Sequence, residues 1–153
     1  MVRMRDLPLT KRESMLSYPV PKFTTNPSVR GPVLSQRRVA LISTAALIRR
    51  GERPLTPFDT RYRTIGHGLE SNSILMSHTS VNFDRIGFQR DLNVVFPRDR
   101  LSELARMGVI GEDSDEHYSF MGSTTAEKLE PAARRLAARL HERGVDSVLL
   151  API

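Results

Sequence analysis

Apolar residues in this chain come in short unbroken runs separated by long polar stretches. Residues 38–44 read Arg-Val-Ala-Leu-Ile-Ser-Thr, a run that suits a strand buried on both faces, as parallel sheets require. Residues 73–77 (Ser-Ile-Leu-Met-Ser) and 118–122 (Tyr-Ser-Phe-Met-Gly) repeat the pattern in shorter form, and 144–153 carries a fourth run. The pattern predicts a mostly parallel sheet in which 39–44, 74–76 and 145–150 are interior strands. Helical spacing lies between the runs. Residues 45–51 could open a helix that Gly51, Pro54 and Pro57 stop. In 99–108, Leu101, Leu104 and Ala105 share a face, Asp99 is placed to cap and Gly108 to terminate. The clearest helix is 126–143, with Leu129, Ala133, Leu136, Ala137 and Leu140 as its apolar stripe, Arg134, Arg135, Arg139 and Arg143 mostly opposite, and Gly144 as the stop. Pro131 is tolerated there if it falls in the first turn. Helix followed by strand, twice over, defines an α/β fold: a mostly parallel sheet flanked by helices.

Residues 1–36 break this rhythm. Pro8, Pro19, Pro21, Pro27 and Pro32 stand among scattered Arg and Lys with no sustained period, which predicts an extended arm wrapping a surface or a neighbour. The division is therefore a basic arm over 1–36 and an α/β domain over 37–153. Net charge is +6 and sits at the front: residues 1–63 hold 13 Lys/Arg against 4 Asp/Glu, residues 64–153 hold 10 against 13. A basic arm gives salt-sensitive phosphate affinity, but only Tyr18 and Phe23 interleave it and no nucleic-acid reader module follows, which argues against nucleic acid. Neither a signal-peptide pattern nor 18 consecutive apolar residues occurs, so a cytoplasmic protein without a membrane partner is expected. The chain stops on an apolar strand. Ligands of open α/β sheets gather beyond the carboxyl ends of strands, so the domain is expected to be incomplete at its C-terminus.

Candidate chemistry is sparse. Cysteine is absent, which excludes disulfides, thiolate nucleophiles and thiolate metal sites in the polypeptide as written. No glycine-rich phosphate loop follows the 38–44 strand and no G-x-S-x-G elbow occurs. His78 lies at a strand end near Asp84, where the pair could act as an acid–base couple or merely fold the loop. His117, beside Tyr118, is a second candidate acid or base with an equally good structural reading. His67 rides between two glycines and His141 lies on a helix, with no spacing that supports a metal site. Arg85, Arg90, Arg98 and Arg100 alternate with Asp84, Asp91 and Asp99. They read either as a solvated, paired surface or as the source of one arginine, best Arg85, that grips a substrate carboxylate.

With these residues in view, the chain resembles the selenoprotein B family: component B of the glycine, sarcosine and betaine reductases and the selenoprotein subunit of D-proline reductase. The resemblance rests on residues 38–45, on His78 with Phe83-Asp84-Arg85, on Asp91-Leu92-Asn93-Val94-Val95-Phe96-Pro97-Arg98-Asp99-Arg100-Leu101, on Gly108-Val109-Ile110-Gly111, on His117-Tyr118-Ser119-Phe120-Met121-Gly122, and on 144–152. It covers about residues 37–153, and the Asn-Val-Val-Phe-Pro-x-Asp-Arg-Leu block is its specific part. It implies that His78, His117 and Asp84 serve catalysis and that Arg85, Asn93 and Asp99 bind substrate. It also implies reductive C–N cleavage of glycine, sarcosine, betaine, D-proline or a similar amine, with a dithiol reductant, a pyruvoyl-containing or other reductase subunit as partner, and an oligomeric assembly. Such relatives carry a selenocysteine or cysteine just after the strand that resembles 145–152. This chain holds no such residue and no cofactor of its own. Selenocysteine, encoded by UGA, is therefore expected immediately after Ile153, with gene decay or a split subunit as the competing accounts, and the 153-residue polypeptide is expected to be inactive. The alternative functions are a noncatalytic α/β subunit or binding module acting through its arm and, third, a hydrolase.

Overall fold

The computed structural model describes residues 3–17, 20, 22, 24, 26, 28–80 and 85–153. Its centre is β1 (Arg38–Ser43). On one edge β1 pairs in parallel with β7 (Ser147–Ala151), from Val39 opposite Ser147 to Ser43 opposite Ala151. Its other edge takes two short strands in line, β5 (Glu112–Asp113) and β6 (Glu116–Ser119), both parallel to it. Outside β6 lies β3 (Arg63–Gly66), antiparallel. The sheet is thus mixed but mostly parallel.

The Val-Ala-Leu-Ile run does what its pattern requires, feeding opposite faces in turn. Val39 and Leu41 enter one core with Phe96, Leu101 and Ile110, beneath α3 (Arg98–Arg106). Ala40 and Ile42 enter the other with Tyr118, Ala132, Leu136 and Leu140, beneath α4 (Ala126–Glu142). Both helices end where a glycine takes the left-handed conformation, Gly108 (φ 70°) and Gly144 (φ 68°), a conformation that costs other residues a Cβ clash.

Several elements depart from the sequence pattern. Residues 45–51 do not open a helix: Leu47–Arg49 is strand β2. Ala46 sits at φ 54° and is buried, which turns the chain out of the sheet, and the Leu47 amide is taken by the Ser119 hydroxyl at 2.8 Å. β4 (Ile74–Met76) is not an interior strand of the parallel sheet, because it follows β2 away and pairs with it antiparallel. β7 is parallel as expected but pairs only with β1 among the described strands, and Leu150 is 68% exposed. Asp99 is the second residue of α3 and does not cap it. Pro97 holds the N-cap position, and the Asp99 amide donates to Asn93 Oδ1 at 3.1 Å. Within the arm, Leu9–Leu16 forms α1, an exposed helix where the sequence suggests an extended segment. A five-residue helix, α2 (Ile86–Arg90), precedes α3.

Pro131 lies beyond the first turn of α4, at its sixth residue. The position is exposed, so solvent can take the carbonyl that the missing N–H leaves. The buried stripe of α4 is Ala132, Leu136 and Leu140, whereas Ala133 and Ala137 face outward. This register is testable. Ala132→Glu places an unpaired carboxylate under the helix and should cost about 3 kcal/mol or more in urea denaturation, while Ala133→Glu should stay within about 0.5 kcal/mol. Equal effects would reject the register.

Candidate functional site

Because β1, β6 and β7 run in parallel, their carboxyl ends share one edge. There Thr44 clasps the main chain of residue 153: its Oγ1 accepts the Ile153 N–H at 2.8 Å and lies 3.3 Å from the Ile153 carbonyl oxygen, to which its hydroxyl can donate. Gly122 completes the edge, donating its amide to the Thr44 carbonyl at 3.0 Å. A Cβ at Gly122 would fall 2.8 Å from the Thr44 carbonyl oxygen and 3.0 Å from both His78 Nε2 and the Ile153 oxygen. Only glycine allows that approach. The predicted His78 is therefore at the carboxyl edge, buried, beside the end of β7. Its Nδ1 accepts the Ser80 amide at 3.1 Å, so the neutral ring carries its hydrogen on Nε2, the nitrogen facing Gly122. Burial, seconded by the Arg85 charge, holds the His78 pKa below the usual imidazole range, which favours the neutral ring at pH 7.

His117 stands elsewhere, in the middle of the sheet and fully buried. Between the pairs Val39–Asp113 and Ile42–Tyr118, β1 advances three residues and its neighbour five, so two extra residues bulge out. The His117 ring fills the gap, Nδ1 accepting the Leu41 amide at 3.1 Å. Nε2 then bears the hydrogen and lies 3.3 Å from Asp113 Oδ1, near enough to attract it but not aligned as a hydrogen bond, so both buried atoms are without a hydrogen-bond partner among the described residues. Asp113 Oδ2 accepts the Ser102 hydroxyl and lies 3.1 Å from His67 Nδ1. Burial alone would raise the Asp113 pKa, but the nearby His117 ring, the Ser102 hydroxyl bond and the His67 ring outweigh it, and the carboxyl stays below the ordinary range. His67, Asp113 and His117 offer ligand atoms within 4.8 Å of one another, yet a metal on His117 Nε2 requires the opposite tautomer, with hydrogen on Nδ1 where the Leu41 N–H already points. The tautomer set by Leu41 thus fits an internal polar cluster and not an open ligand set.

The other predicted residues divide. Arg85 donates through Nη2 to the carbonyls of His78 and Ser80 at 2.7 and 2.8 Å, fastening the loop that carries His78. Asp84 lies outside the described residues. Asn93 and Asp99 hold each other at the start of α3, Asn93 Nδ2 donating to Asp99 Oδ2 at 2.8 Å and to Asp91 Oδ1 at 2.9 Å. Among the described residues, His78 and His117 share no hydrogen-bond partner. Thr44, Gly122 and Asp113 do not stand out in the sequence, and His67, which does, reads there only as a loop residue. The glycine after a strand at 122 and the Asp113/His117 spacing were the available signals.

This edge on a mostly parallel α/β sheet defines the class, an α/β protein whose polar groups collect at the carboxyl ends of its strands. The family model described as glycine/sarcosine/betaine reductase selenoprotein B matches residues 9–152, and the chain belongs to that family. Among curated proteins it is similar to "D-proline reductase subunit gamma" of Acetoanaerobium sticklandii, 30% identical over 96% of this chain and 61% of the relative. It is also similar to "Glycine reductase complex component B subunit gamma" of Symbiobacterium thermophilum, 28% identical over 87% of this chain and 32% of the relative. The chain thus spans less than two thirds of the length of these relatives, which are named as subunits of reductases. No solved structure matches, and no helix among the described residues is long and apolar enough to cross a membrane.

The Asp113 array has a pH signature. A carboxyl whose folded pKa is depressed adds stability above its unfolded pKa and loses it as pH falls through the folded value. Asp113→Asn should therefore be less stable than the parent at pH 7 by about 1–3 kcal/mol, with the difference shrinking below about pH 4. Denaturation curves at pH 7, 4 and 3 check it; a gap that widens on acidification would contradict it.

Proposed function

We propose that this chain is the N-terminal portion of a selenocysteine-dependent reductase that cleaves the C–N bond of glycine, sarcosine, betaine, D-proline or a similar amine, with a dithiol as reductant. Family membership supports the reaction class. The observation that carries the site is the clasp at the carboxyl edge, where Thr44 and Gly122 bring the end of β7 against His78. A selenocysteine following Ile153 would emerge at that spot. It would supply an ionised nucleophile at neutral pH, by the logic that makes thiolate the reactive form of cysteine.

The residues of this chain supply position and a hydrogen-bond donor. His78, neutral and with hydrogen on Nε2, can donate a hydrogen bond to the reacting group and stabilise negative charge that develops there. Its loop is fixed by Arg85 through the His78 and Ser80 carbonyls, and Thr44 sets the exit direction of the backbone. Activation of the amine would fall to a pyruvoyl group on a partner chain, which fits relatives named as subunits. A cytoplasmic location fits the absence of a long apolar helix among the described residues. His117, locked between Leu41 and Asp113, supports the sheet that carries this edge, so its role in our reading is to position.

The nucleotide sequence after the Ile153 codon tests the proposal directly. UGA followed by an open frame with a nearby cysteine codon supports it; immediate loss of the frame overturns it. On the protein side, the 153-residue polypeptide should release no amine from glycine, sarcosine, betaine or D-proline with dithiol present. In the longer selenium-containing product, His78→Ala should lower kcat about 10²–10³-fold. A variant as fast as the parent would remove His78 from the mechanism.

A further inference from the structure

Four arginines alternate with aspartates between residues 85 and 100, and the structure singles out one that the proposed reaction does not use. Arg98, the first residue of α3, is only 7% exposed. Its Nη2 donates to Ser71 Oγ at 2.9 Å. Its nearest paired carboxylate oxygen, Asp99 Oδ1, is 3.6 Å from Nε on a residue also tied to Asn93. Nη1 is shielded from solvent and has no hydrogen-bond partner. A guanidinium withdrawn from water needs its N–H groups satisfied, and an unmet pair on a buried arginine is a strong demand for an acceptor.

The same arginine lines an open groove of about 470 Å³, with Ser71, Asn72, Leu69 and Glu70 from the loop after β3 and with His67. His67 is half-exposed while its Nδ1 faces Asp113, so the ring is held from behind and presents its other edge outward. Glu70 is the one carboxylate in the lining and lies on an exposed residue, where its side chain can turn to solvent. We propose that this groove binds a small oxyanion, a carboxylate or a phosphate, seated on the Arg98 guanidinium and the Ser71 hydroxyl. The guanidinium fork matches either anion with two parallel N–H bonds. An anion reaching Nη1 has to part the residues that now cover it, so the 67–72 loop should respond to binding.

The test is an amide NMR titration of the chain with sodium acetate and, separately, with sodium phosphate, at constant ionic strength set by chloride. Saturable shifts at residues 67–72 and 98 with either anion are expected, and the anion that binds more tightly identifies carboxylate or phosphate as the ligand group. Ser71→Ala, at an exposed position, should keep the fold and weaken binding several-fold. Arg98→Gln should weaken it about 10-fold or more, the equivalent of roughly 1.4 kcal/mol. If Arg98→Gln does not fold, Ser71→Ala decides alone. Non-saturating shifts, shifts confined to the basic arm, or unchanged affinity in Ser71→Ala would each overturn the proposal.

Discussion

The structure depends on keeping one strand satisfied on every side. β1 is buried on both faces and paired along both edges, so each of its amides needs an acceptor that water cannot supply. β7 meets the demand along one edge without interruption. The other edge does not, because β5 and β6 lose register by two residues, and the Leu41 amide is rescued by an imidazole at 3.1 Å. His117 thus replaces a main-chain carbonyl in the ladder. Its tautomer follows from that bond, and the placing of Asp113, Ser102 and His67 follows from the tautomer. A polar chain at the heart of an apolar fold is the consequence of one bulge.

The two cores also follow from β1. Its alternation sends Val39 and Leu41 toward α3 and Ala40 and Ile42 toward α4. Each fully buried side chain of this size contributes about 1.5–3 kcal/mol, so the cores bind helices to sheet firmly enough to hold a bulge between them. β2 and β4 form a satellite with their own cluster of Ala46, Ile48, Leu55 and Met121. It is attached by Leu47 and Ile74, which enter the first core, and by two hydrogen bonds, Leu47 N–H to the Ser119 hydroxyl and Ser77 N–H to the Ala46 carbonyl at 2.9 Å.

Much of this frame was legible in the sequence because burial on both faces leaves an unmistakable apolar run, as at 39–42, and because terminal glycines at 108 and 144 mark helix ends. What escaped was decided by contacts distant in sequence. Leu47 and Ile48 look like a helix start until the Ser119 hydroxyl and the partner strand β4 are in place. The α4 stripe was misread by one position at Ala132 and Ala133, since alanine carries too little apolar signal to fix a face. His78 was found because a strand end is a local feature. His117 was found by type, but its surroundings were not, since the bulge that gives the ring its task depends on pairing 76 residues away in sequence. Arg98 was one of four similar arginines, and only the fold separates it from its exposed neighbours.

The strained turn at Ala46 joins these levels. A left-handed alanine costs roughly 1–2 kcal/mol, and here the cost is offset by two main-chain bonds, Ala46 N–H to the Phe120 carbonyl at 2.8 Å and Ser77 N–H to the Ala46 carbonyl. The first holds β1 to the end of β6; the second holds β1 to the start of the loop that carries His78. Without that sharp turn, residue 46 could not serve both neighbours, and Thr44, Gly122 and His78 would lose the frame that brings them within van der Waals reach. The imidazole at the carboxyl edge is therefore positioned by backbone geometry two residues beyond Thr44, while the imidazole inside the sheet is positioned by a defect in strand register. Both are oriented through Nδ1 by a main-chain amide, Ser80 for one and Leu41 for the other. The difference lies in what Nε2 meets: a carboxylate in the interior, 3.3 Å away, and at the edge Gly122, whose missing Cβ leaves room for both the ring and the Ile153 carbonyl.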